Sequence, residues 1–242
     1  MLMKEDQRGF AYIYVTLGLL VVGLVAFAAV KTVNSNKNTS TKNSSNSASA
    51  ASAEATCLKS VSDKNLCKFA ANYSANTAYK AIDTANMTEG SGTLTILNDG
   101  KGNSAVTSSY NGSDSSYVYL DSATYIKDPS SGFWIKYPAN SAAPSTNNPA
   151  DGFKISPSNI SDNGTLSYKS LGPDTCGSAE CYKYQIIDTS QPDATQYLWF
   201  DNQNYQLQEY YVKNSNGTND IKFTYQAVTI SAPAPAKDYA AP

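Results

Sequence analysis

The sequence predicts an α+β protein with one N-terminal transmembrane helix. The domain that follows is predicted to be a curved antiparallel sheet of about ten strands, with an N-terminal helix packed on the sheet. Two patterns support this prediction. Residues 10–30 form an uncharged apolar run. Residues 92–230, apart from a polar and Pro-rich stretch at 138–165, show apolar and polar side chains alternating with a period of two. No strand pattern alternates with a long helical pattern, which excludes a parallel α/β fold.

The composition excludes several kinds of chemistry. The formal net charge is −2, and no basic cluster lies outside the N-terminal flanks, so nucleic acid is not an expected partner. The chain has no His, which removes His-based triads, imidazole metal sites and the usual acid–base group near neutral pH. We therefore expect a protein that is not an enzyme, with no catalytic residue, metal or cofactor.

The apolar run from Phe10 to Val30 is predicted to cross the membrane. Its 21 residues carry no formal charge, and a helix of that length, at about 1.5 Å per residue, spans a hydrocarbon layer of about 30 Å. Residues 1–9 are then the cytoplasmic N-terminus. The sequence predicts a single-pass protein of the cell membrane.

Two alternatives to a permanent anchor stay open. The "VAFAAV" at 25–30 is similar to the exit of a removable secretory signal. The "RGF" at 8–10 resembles a prepilin cleavage junction, although Tyr14 stands where pilins normally carry Glu.

The chain after the apolar run divides into three predicted parts. Residues 31–56 are rich in Ser and Asn and have almost no apolar side chain to bury, so they are predicted to form a disordered linker. Residues 57–232 form the folded domain. Residues 233–242 form a Pro/Ala tail that is predicted to be disordered.

Four cysteines, Cys57, Cys67, Cys176 and Cys181, place the domain outside the cytoplasm, because disulfides persist there. Four cysteines permit three pairings, and we expect the two local ones. The second local pair would clamp the short turn "GSAE" between two strands. A metal site is the competing interpretation, but there is neither CxxC spacing nor a His to support it.

Ser62 is predicted to cap a helix with Leu66, Phe69 and Tyr73 on its apolar face, which extends toward Ile82 or precedes a second short helix. Ten predicted strands follow, with turns short enough for antiparallel neighbours. They are "GTLTIL" (92–97), "SAVTSSY" (104–110), "SSYVYLD" (115–121), "ATYIKD" (123–128), "GFWIKYP" (132–138), "LSYKSL" (166–171), "CYKYQIID" (181–188), "TQYLWFD" (195–201), "QLQEYYV" (206–212) and "DIKFTYQAVTI" (220–230).

Three segments resemble the lipoprotein-carrier superfamily, which includes the LolA and LolB carriers and the related LppX/LprG lipoproteins. They are "YLWFDNQNYQLQEYYV" (197–212), "IKFTYQAVTISAP" (221–233) and "GFWIKYP" (132–138). The resemblance implies an unclosed half-barrel, plugged by helices, with an apolar cavity between sheet and helices. The acylated Cys of the lipoprotein members is absent here, and a predicted membrane helix takes its place. The family brings no catalytic residue.

The resemblance implies a domain that binds a lipid or another hydrophobic ligand. The apolar members of the alternating strands are the hypothesised cavity liners: Leu94, Ile96, Val118, Leu120, Ile135, Ile186, Leu198, Phe223 and Tyr225. An ordinary core, filled by the protein's own side chains, is the simpler interpretation of the same residues. The alternative function is a surface interaction or assembly protein, pilin-like or adhesive, with a closed core and a solvent-facing apolar patch. The sequence names no protein partner.

Overall fold

The computed structural model describes residues 46–59, 61–72, 77–138 and 166–239. They belong to two compact units. Unit 1 takes its residues from 1–28, 76–152 and 225–242, and unit 2 from 29–75 and 153–224. Segments 1–9 and 10–30, the predicted cytoplasmic N-terminus and transmembrane helix, lie outside the described residues. None of the described helices is long and apolar enough to span a bilayer.

The described ranges contain two helices and twelve strands, and all but one of the pairings given below are antiparallel. This sheet-rich architecture with short helices agrees with the predicted α+β class. In chain order the elements are α1 (Asn46–Cys57), α2 (Lys64–Asn72), β1 (Tyr79–Met87), β2 (Gly90–Asn98), β3 (Ser104–Tyr110), β4 (Ser113–Leu120), β5 (Ala123–Lys127), β6 (Trp134–Pro138), β7 (Leu166–Cys176), β8 (Ala179–Asp188), β9 (Thr195–Asp201), β10 (Leu207–Asn214), β11 (Gly217–Tyr225) and β12 (Ala236–Asp238).

Helix α1 corrects the predicted linker. Residues 46–56 were expected to be disordered, but they form most of this helix. Alanine, the strongest helix former, recurs through "NSASAASAEATC", and the buried Cys57 at its end is bonded to Cys67. The Ser-rich composition of this segment gave no indication of the helix or of the disulfide at its end.

Helix α2 begins one residue later than predicted. Asp63 caps it in place of Ser62, because the Leu66 N–H donates a hydrogen bond to Asp63 Oδ1 at 3.0 Å. The helix ends at Asn72, and Ile82 lies in strand β1. On the predicted apolar face Leu66 and Phe69 are no more than 1% exposed, and Tyr73 lies outside the described residues.

The strands of unit 2 follow one another as an antiparallel meander in the order β11–β10–β9–β8–β7. In β11, Ile221 and Phe223 are buried while Lys222 and Thr224 are exposed, which confirms the predicted alternation. Strand β7 ends the order. It carries Pro173 and an irregular register, features that discourage pairing with a further strand.

The strands of unit 1 follow the order β12–β6–β5–β4–β3–β2–β1. Neighbouring strands in this order are antiparallel except β12 and β6, which are parallel. Strands β3 and β4 are joined by a two-residue turn in which Asn111 and Gly112 have φ values of 49° and 80°. Asn-Gly is the usual sequence for a hairpin turn with two positive φ values.

Two strands were missing from the sequence prediction, β1 and β12. Strand β1 buries Ala81, Asp83 and Ala85, each 1% exposed, and such small or acidic side chains give no apolar alternation. Strand β12 lies in the tail 233–242, which was predicted to be disordered. Its neighbour Tyr239 stacks on Tyr137 with ring centroids 4.7 Å apart.

Candidate functional site

The strands of unit 1 present two faces of different chemistry. The core face carries an apolar row in register across four strands: Ile96, Val106, Tyr117 and Ile126. These four side chains are all buried. The groove face carries a polar row: Thr95, Thr107 and Ser116. Neighbouring residues of a strand point to opposite faces, so both rows come from the same alternating sequence.

A groove of about 590 Å³ opens on the groove face. Ligand sites for small molecules have volumes of about 300–1,000 Å³. The groove is lined by Thr93, Thr95, Thr107, Ser108, Ser109, Asp114, Ser115, Ser116, Lys127, Asp128, Pro129 and Gly132. A second groove of about 360 Å³ shares Thr93 and Ser109 with it. Hydroxyl groups both donate and accept hydrogen bonds, so this lining suits a polar ligand better than an acyl chain.

The larger groove exists because strands β4 and β5 separate. They pair from Leu120 opposite Ala123 to Tyr117 opposite Ile126, and no further. Strand β4 continues to pair with β3 as far as Ser113. The first half of β4 therefore forms one wall of the groove, and the turn between β5 and β6 forms the other.

Asp128 holds the turn between β5 and β6 in place. Its carboxylate accepts hydrogen bonds from Ser131 Oγ at 2.6 Å and from Ser130 Oγ at 2.8 Å and Ser130 N at 3.0 Å. These bonds, that of Ser131 first, lower the pKa of Asp128, so its carboxylate is ionised at neutral pH. The wall of the groove carries this negative charge beside the positive charge of Lys127.

Two tyrosines on the core face have unpaired hydroxyls. Tyr110 is 7% exposed and Tyr117 3%, and neither hydroxyl has a hydrogen-bond partner among the described residues. Burial raises the pKa of Tyr117, and the nearby Ser115 opposes that rise. The Ser115 hydroxyl already pairs with Ser108 Oγ at 2.6 Å. Buried polar groups are nearly always paired, so these two hydroxyls stand out.

The predicted cavity liners of unit 1 do not share one face. Leu94, Ile96 and Ile135 lie on the core face, and Val118 and Leu120 lie on the groove face. On that face Val118 and Tyr125 belong to a small apolar cluster on which Leu120 packs. Val118 and Leu120 therefore cannot line one cavity with the other three. Apolar side chains occupy consecutive positions of β4, so the sequence pattern does not indicate which of them lie on the core face.

The predicted liners of unit 2 do share a face. Ile186, Leu198 and Phe223 are buried on the same side of its sheet. Tyr225, the last residue of β11, belongs to unit 1 and is partly exposed. None of the nine predicted residues lines either groove described above.

Aromatic side chains fill the core of unit 2. Phe69 of α2 stacks on Phe200 of β9 with ring centroids 4.5 Å apart, and Tyr184 lies 5.3 Å from the same ring. The Tyr184 hydroxyl donates to Asp63, with distances of 2.9 and 2.8 Å to its two carboxylate oxygens. Burial and then this carboxylate raise the pKa of Tyr184. The residue that caps the helix thus also fixes it to the sheet.

The opposite face of unit 2 carries a cluster of Asp174, Lys183, Tyr197 and Trp199, named here the Trp199 cluster. Trp199 Nε1 donates to Asp174 Oδ2 at 3.0 Å, and this bond is the main cause of the lowered pKa of Asp174. Lys183 Nζ lies 4.6 Å from the Trp199 ring and 4.9 Å from the Tyr197 ring. Beside the cluster, burial and then the charge of Asp220 raise the pKa of Glu209.

Both predicted local disulfides are confirmed, and both lie in unit 2. Cys57 bonds to Cys67, and Cys176 bonds to Cys181 across the turn between β7 and β8. No cysteine is left free. Within the described ranges, no group of three or more Cys, Asp or Glu side chains is placed to hold a metal ion.

The groove residues were not among those predicted from the sequence. The sequence pattern that could have indicated them is the set of polar residues between the apolar residues of the alternating strands, such as Thr93, Thr95 and Thr107. No sequence pattern indicates the separation of β4 from β5, because both segments have the alternation of an ordinary β-strand.

No protein-family model matches this chain, and no curated protein matches it. Solved structures resemble it at low identity. LprF from Mycobacterium bovis has 14% identity over 77% of this chain and 98% of its own, with a TM-score of 0.46. LppX from Mycobacterium tuberculosis has 9% identity over 64% and 88%, with a TM-score of 0.40. An uncharacterized conserved protein from Thermus thermophilus has 11% identity over 76% and 98%, with a TM-score of 0.39. Such low values establish no ligand or activity for this chain.

Proposed function

We propose that the protein is a membrane-anchored, extracytoplasmic domain without enzymatic activity, which binds a lipid or another hydrophobic ligand against the core face of unit 1. The observation that carries this proposal is the pair of buried hydroxyls of Tyr110 and Tyr117, which have no hydrogen-bond partner among the described residues and lie on the face that carries the apolar row. An amphipathic ligand would satisfy both features, because its chain packs on the apolar row while its polar end accepts a hydrogen bond from a tyrosine.

The energetics favour such a ligand over water. Each methylene of an acyl chain that leaves water contributes about 0.8 kcal/mol. An unpaired buried hydroxyl costs about 1–3 kcal/mol, which a ligand acceptor would recover. The apolar row is already buried in the protein itself. Ligand entry therefore requires local opening, and we expect uptake to be slower than diffusion.

Two features support the proposed location. The uncharged run 10–30 is long enough for a membrane span. The two disulfides belong to an oxidising compartment, which would be the far side of that membrane. Protease treatment of intact cells should remove the domain, and shielding of the domain would contradict this part of the proposal.

The ligand proposal is tested by native mass spectrometry of gently extracted full-length protein and by uptake of a dansylated undecanoic acid. Val106→Trp fills the core face of unit 1, and Val212→Trp makes the same change in the core of unit 2. The two valines are matched, with 3% and 4% exposure. We expect Val106→Trp to abolish uptake and Val212→Trp to retain it. Ligand-free protein that takes up no probe, or equal uptake by both variants, would contradict the proposal.

A second candidate function is a surface interaction protein. It is favoured by two apolar side chains on neighbouring strands of unit 2, Leu171 of β7 and Ile187 of β8, each 43% exposed. The double variant Leu171→Ser/Ile187→Ser should then lower self-association or partner binding in light scattering, while acyl-probe uptake stays unchanged.

A further inference from the structure

We propose that the ligand on the core face of unit 1 is a lipid with an uncharged head group that carries hydroxyls, such as a monoacylglycerol. Because this head group belongs to the same hydrophobic ligand, the proposal rests on the proposed function. Two features of unit 1 carry it. One is the set of polar side chains on the core face, and the other is the face on which the charges of strands β1 to β6 lie.

Polar side chains form a patch on the core face of unit 1. Asp83, Ser108 and Ser115 lie in one row across strands β1, β3 and β4. Tyr110 and Tyr117 lie two residues beyond this row on β3 and β4, so their side chains point to the same face. Apart from Ser115, which is partly exposed, these residues are at most 8% exposed. The five residues are named here the head-group patch.

The head-group patch offers donors and acceptors of hydrogen bonds together. The hydroxyls of Tyr110 and Tyr117 have no partner among the described residues. Burial raises the pKa of Tyr117, so its hydroxyl keeps its proton and can donate it to a hydrogen bond. The carboxyl group of Asp83 accepts hydrogen bonds in either protonation state. Ser108 and Ser115 already pair with each other, with 2.6 Å between their Oγ atoms.

A ligand hydroxyl fits this mixture better than a charged group does. A carboxylate only accepts hydrogen bonds, so it gives nothing to the carboxyl oxygens of Asp83. An ammonium group only donates, so the hydroxyl protons of Tyr110 and Tyr117 would stay without an acceptor. A hydroxyl accepts from a tyrosine and donates to Asp83, and a glycerol head group carries two of them.

The charges of strands β1 to β6 also favour an uncharged head group. The register of these strands places all their lysines and one aspartate on the groove face: Lys80, Asp114, Lys127 and Lys136. Asp83 is the charged residue that remains on the core face. An anionic head group beside Asp83 would therefore find no cation on these six strands, and burying an unpaired charge is costly.

The lysine of β12 is too distant to supply the missing cation. Lys237 is exposed at the edge of the sheet, where its ammonium group lies 3.9 Å from the centroid of the Phe133 ring. Strands β5 and β6 lie between β12 and β4, so three strand spacings, about 14 Å, separate Lys237 from the strand of Tyr117.

Four dansylated undecanoyl probes that differ in the head group test this proposal on the full-length protein in detergent. They are the free acid, the methyl ester, the glycerol monoester and the 2-aminoethyl ester, whose amine is cationic at pH 7. Each affinity is expressed relative to the partition of the same probe into protein-free micelles, so that overall hydrophobicity cancels. We expect the glycerol ester to bind about tenfold more tightly than the methyl ester, and the acid and the amine to bind more weakly than the glycerol ester by about tenfold or more.

A matched pair of variants assigns this preference to the core face. The double variant Tyr110→Phe/Tyr117→Phe removes both hydroxyls and breaks no side-chain hydrogen bond among the described residues, so it should fold. Tyr125→Phe is the control, because Tyr125 lies on the groove face and is 7% exposed, as Tyr110 is. We expect the double variant to lose most of the advantage of the glycerol ester over the methyl ester, and Tyr125→Phe to retain it.

The outcomes separate this proposal from the proposed function. Binding of none of the four probes would contradict both. Equal binding of the acid and the glycerol ester, or tightest binding of the amine, would overturn the head-group proposal and leave a hydrophobic ligand in place. An undiminished preference for the glycerol ester in the double variant would overturn it as well. The comparison of the four probes on the unaltered protein needs no variant, so it decides the matter even if the double variant does not fold.

Discussion

Unit 1 and unit 2 are both built from antiparallel strands, but they bury different kinds of side chain. Unit 2 stacks Phe69, Tyr184 and Phe200 against one another and is tied by two disulfides. Unit 1 buries tyrosines beside aliphatic residues, has no disulfide, and includes the hydroxyls of Tyr110 and Tyr117, which have no partner among the described residues. Among the described residues, Gln196 Nε2 of unit 2 also lacks a hydrogen-bond partner, but both grooves described above lie in unit 1.

We infer from this difference that unit 2 gives the protein a fixed shape and that unit 1 binds the ligand. Close-packed aromatic cores tolerate little change in volume, so unit 2 is suited to hold a fixed shape. All four cysteines lie in unit 2, so unit 1 has no disulfide to stabilise it. We therefore expect unit 1 to be the less stable of the two units and to gain more stability from a ligand.

The chain offers a direct way to follow each unit. Its two tryptophans are Trp134 in unit 1 and Trp199 in unit 2. Trp134→Phe leaves fluorescence that reports on unit 2, and Trp199→Phe leaves fluorescence that reports on unit 1. Urea unfolding of both variants measures the two transitions separately.

The largest effect is expected from Phe200→Ala. Phe200 is 0% exposed and contacts Phe69 and Tyr184, so its removal should cost about 3–5 kcal/mol in the unit 2 transition. Ile96→Val in unit 1 is the comparison and should cost about 0.5–1.5 kcal/mol. A smaller loss for Phe200→Ala than for Ile96→Val in urea unfolding would mean that the aromatic core is not the support proposed here.

The next effect is that of the disulfides. Cys57→Ser/Cys67→Ser opens a loop with a sequence separation of 10 and should cost about 2–3 kcal/mol, because the unfolded chain gains conformational freedom. Cys176→Ser/Cys181→Ser opens a loop with a sequence separation of 5 and should lower the free energy of unfolding by about 2 kcal/mol. Both losses should appear in the Trp199 signal. A loss confined to the Trp134 signal would contradict the division into units.

A packing change inside unit 1 should cost about 1–3 kcal/mol. At Gly92→Ala the new Cβ would lie 2.6 Å from the Ser109 carbonyl oxygen and 2.7 Å from Tyr110 Cδ2, so the sheet must shift. Ser91→Ala, one residue away, is the control and should be nearly neutral. The stability of both variants is measured by the urea midpoint of Trp134 fluorescence. An unchanged midpoint for Gly92→Ala would show that β2 and β3 can shift apart at little cost in free energy.

The smallest effect concerns pH and unit 2. Burial and then the charge of Asp220 raise the folded-state pKa of Glu209, so the unfolded state loses this proton at lower pH. Between the two pKa values the unfolded state binds fewer protons, and stability falls as pH rises. Glu209→Gln should therefore stabilise the protein at pH 7 by less than about 1 kcal/mol, because the side chain is partly exposed. The gain should vanish at pH 3, where Glu209 is protonated in both states.

Thermal midpoints of the Glu209→Gln protein at pH 7 and pH 3 measure this effect, with the exposed Glu89→Gln as control. Equal gains at both pH values would show that the effect does not come from the charge of Glu209.

Most strands could be predicted from the sequence, because alternation and turn residues are local signals. The predicted segments 104–110 and 195–201 coincide with β3 and β9. Strand β1 could not be found, because it buries Ala81, Asp83 and Ala85 instead of large apolar side chains. Helix α1 and strand β12 depend on a disulfide and on pairing with β6, which are contacts distant in sequence.

The candidate site was harder to predict than the fold. Alternation assigns residues to two faces but does not say which face is buried, and in β4 consecutive residues from Tyr117 to Leu120 are apolar. For that reason the hypothesised liners Val118 and Leu120 were grouped with residues of the opposite face. The groove depends on where β5 stops pairing with β4, which the sequence of either strand does not encode locally.

Hydrogen exchange of the full-length protein, with and without the dansylated acyl probe, tests most directly whether ligand binding belongs to unit 1. We expect saturating probe to slow exchange in strands β2 to β5 of unit 1 and to leave strands β8 to β10 of unit 2 unchanged. Protection confined to unit 2, or no protection in either unit at saturation, would contradict it.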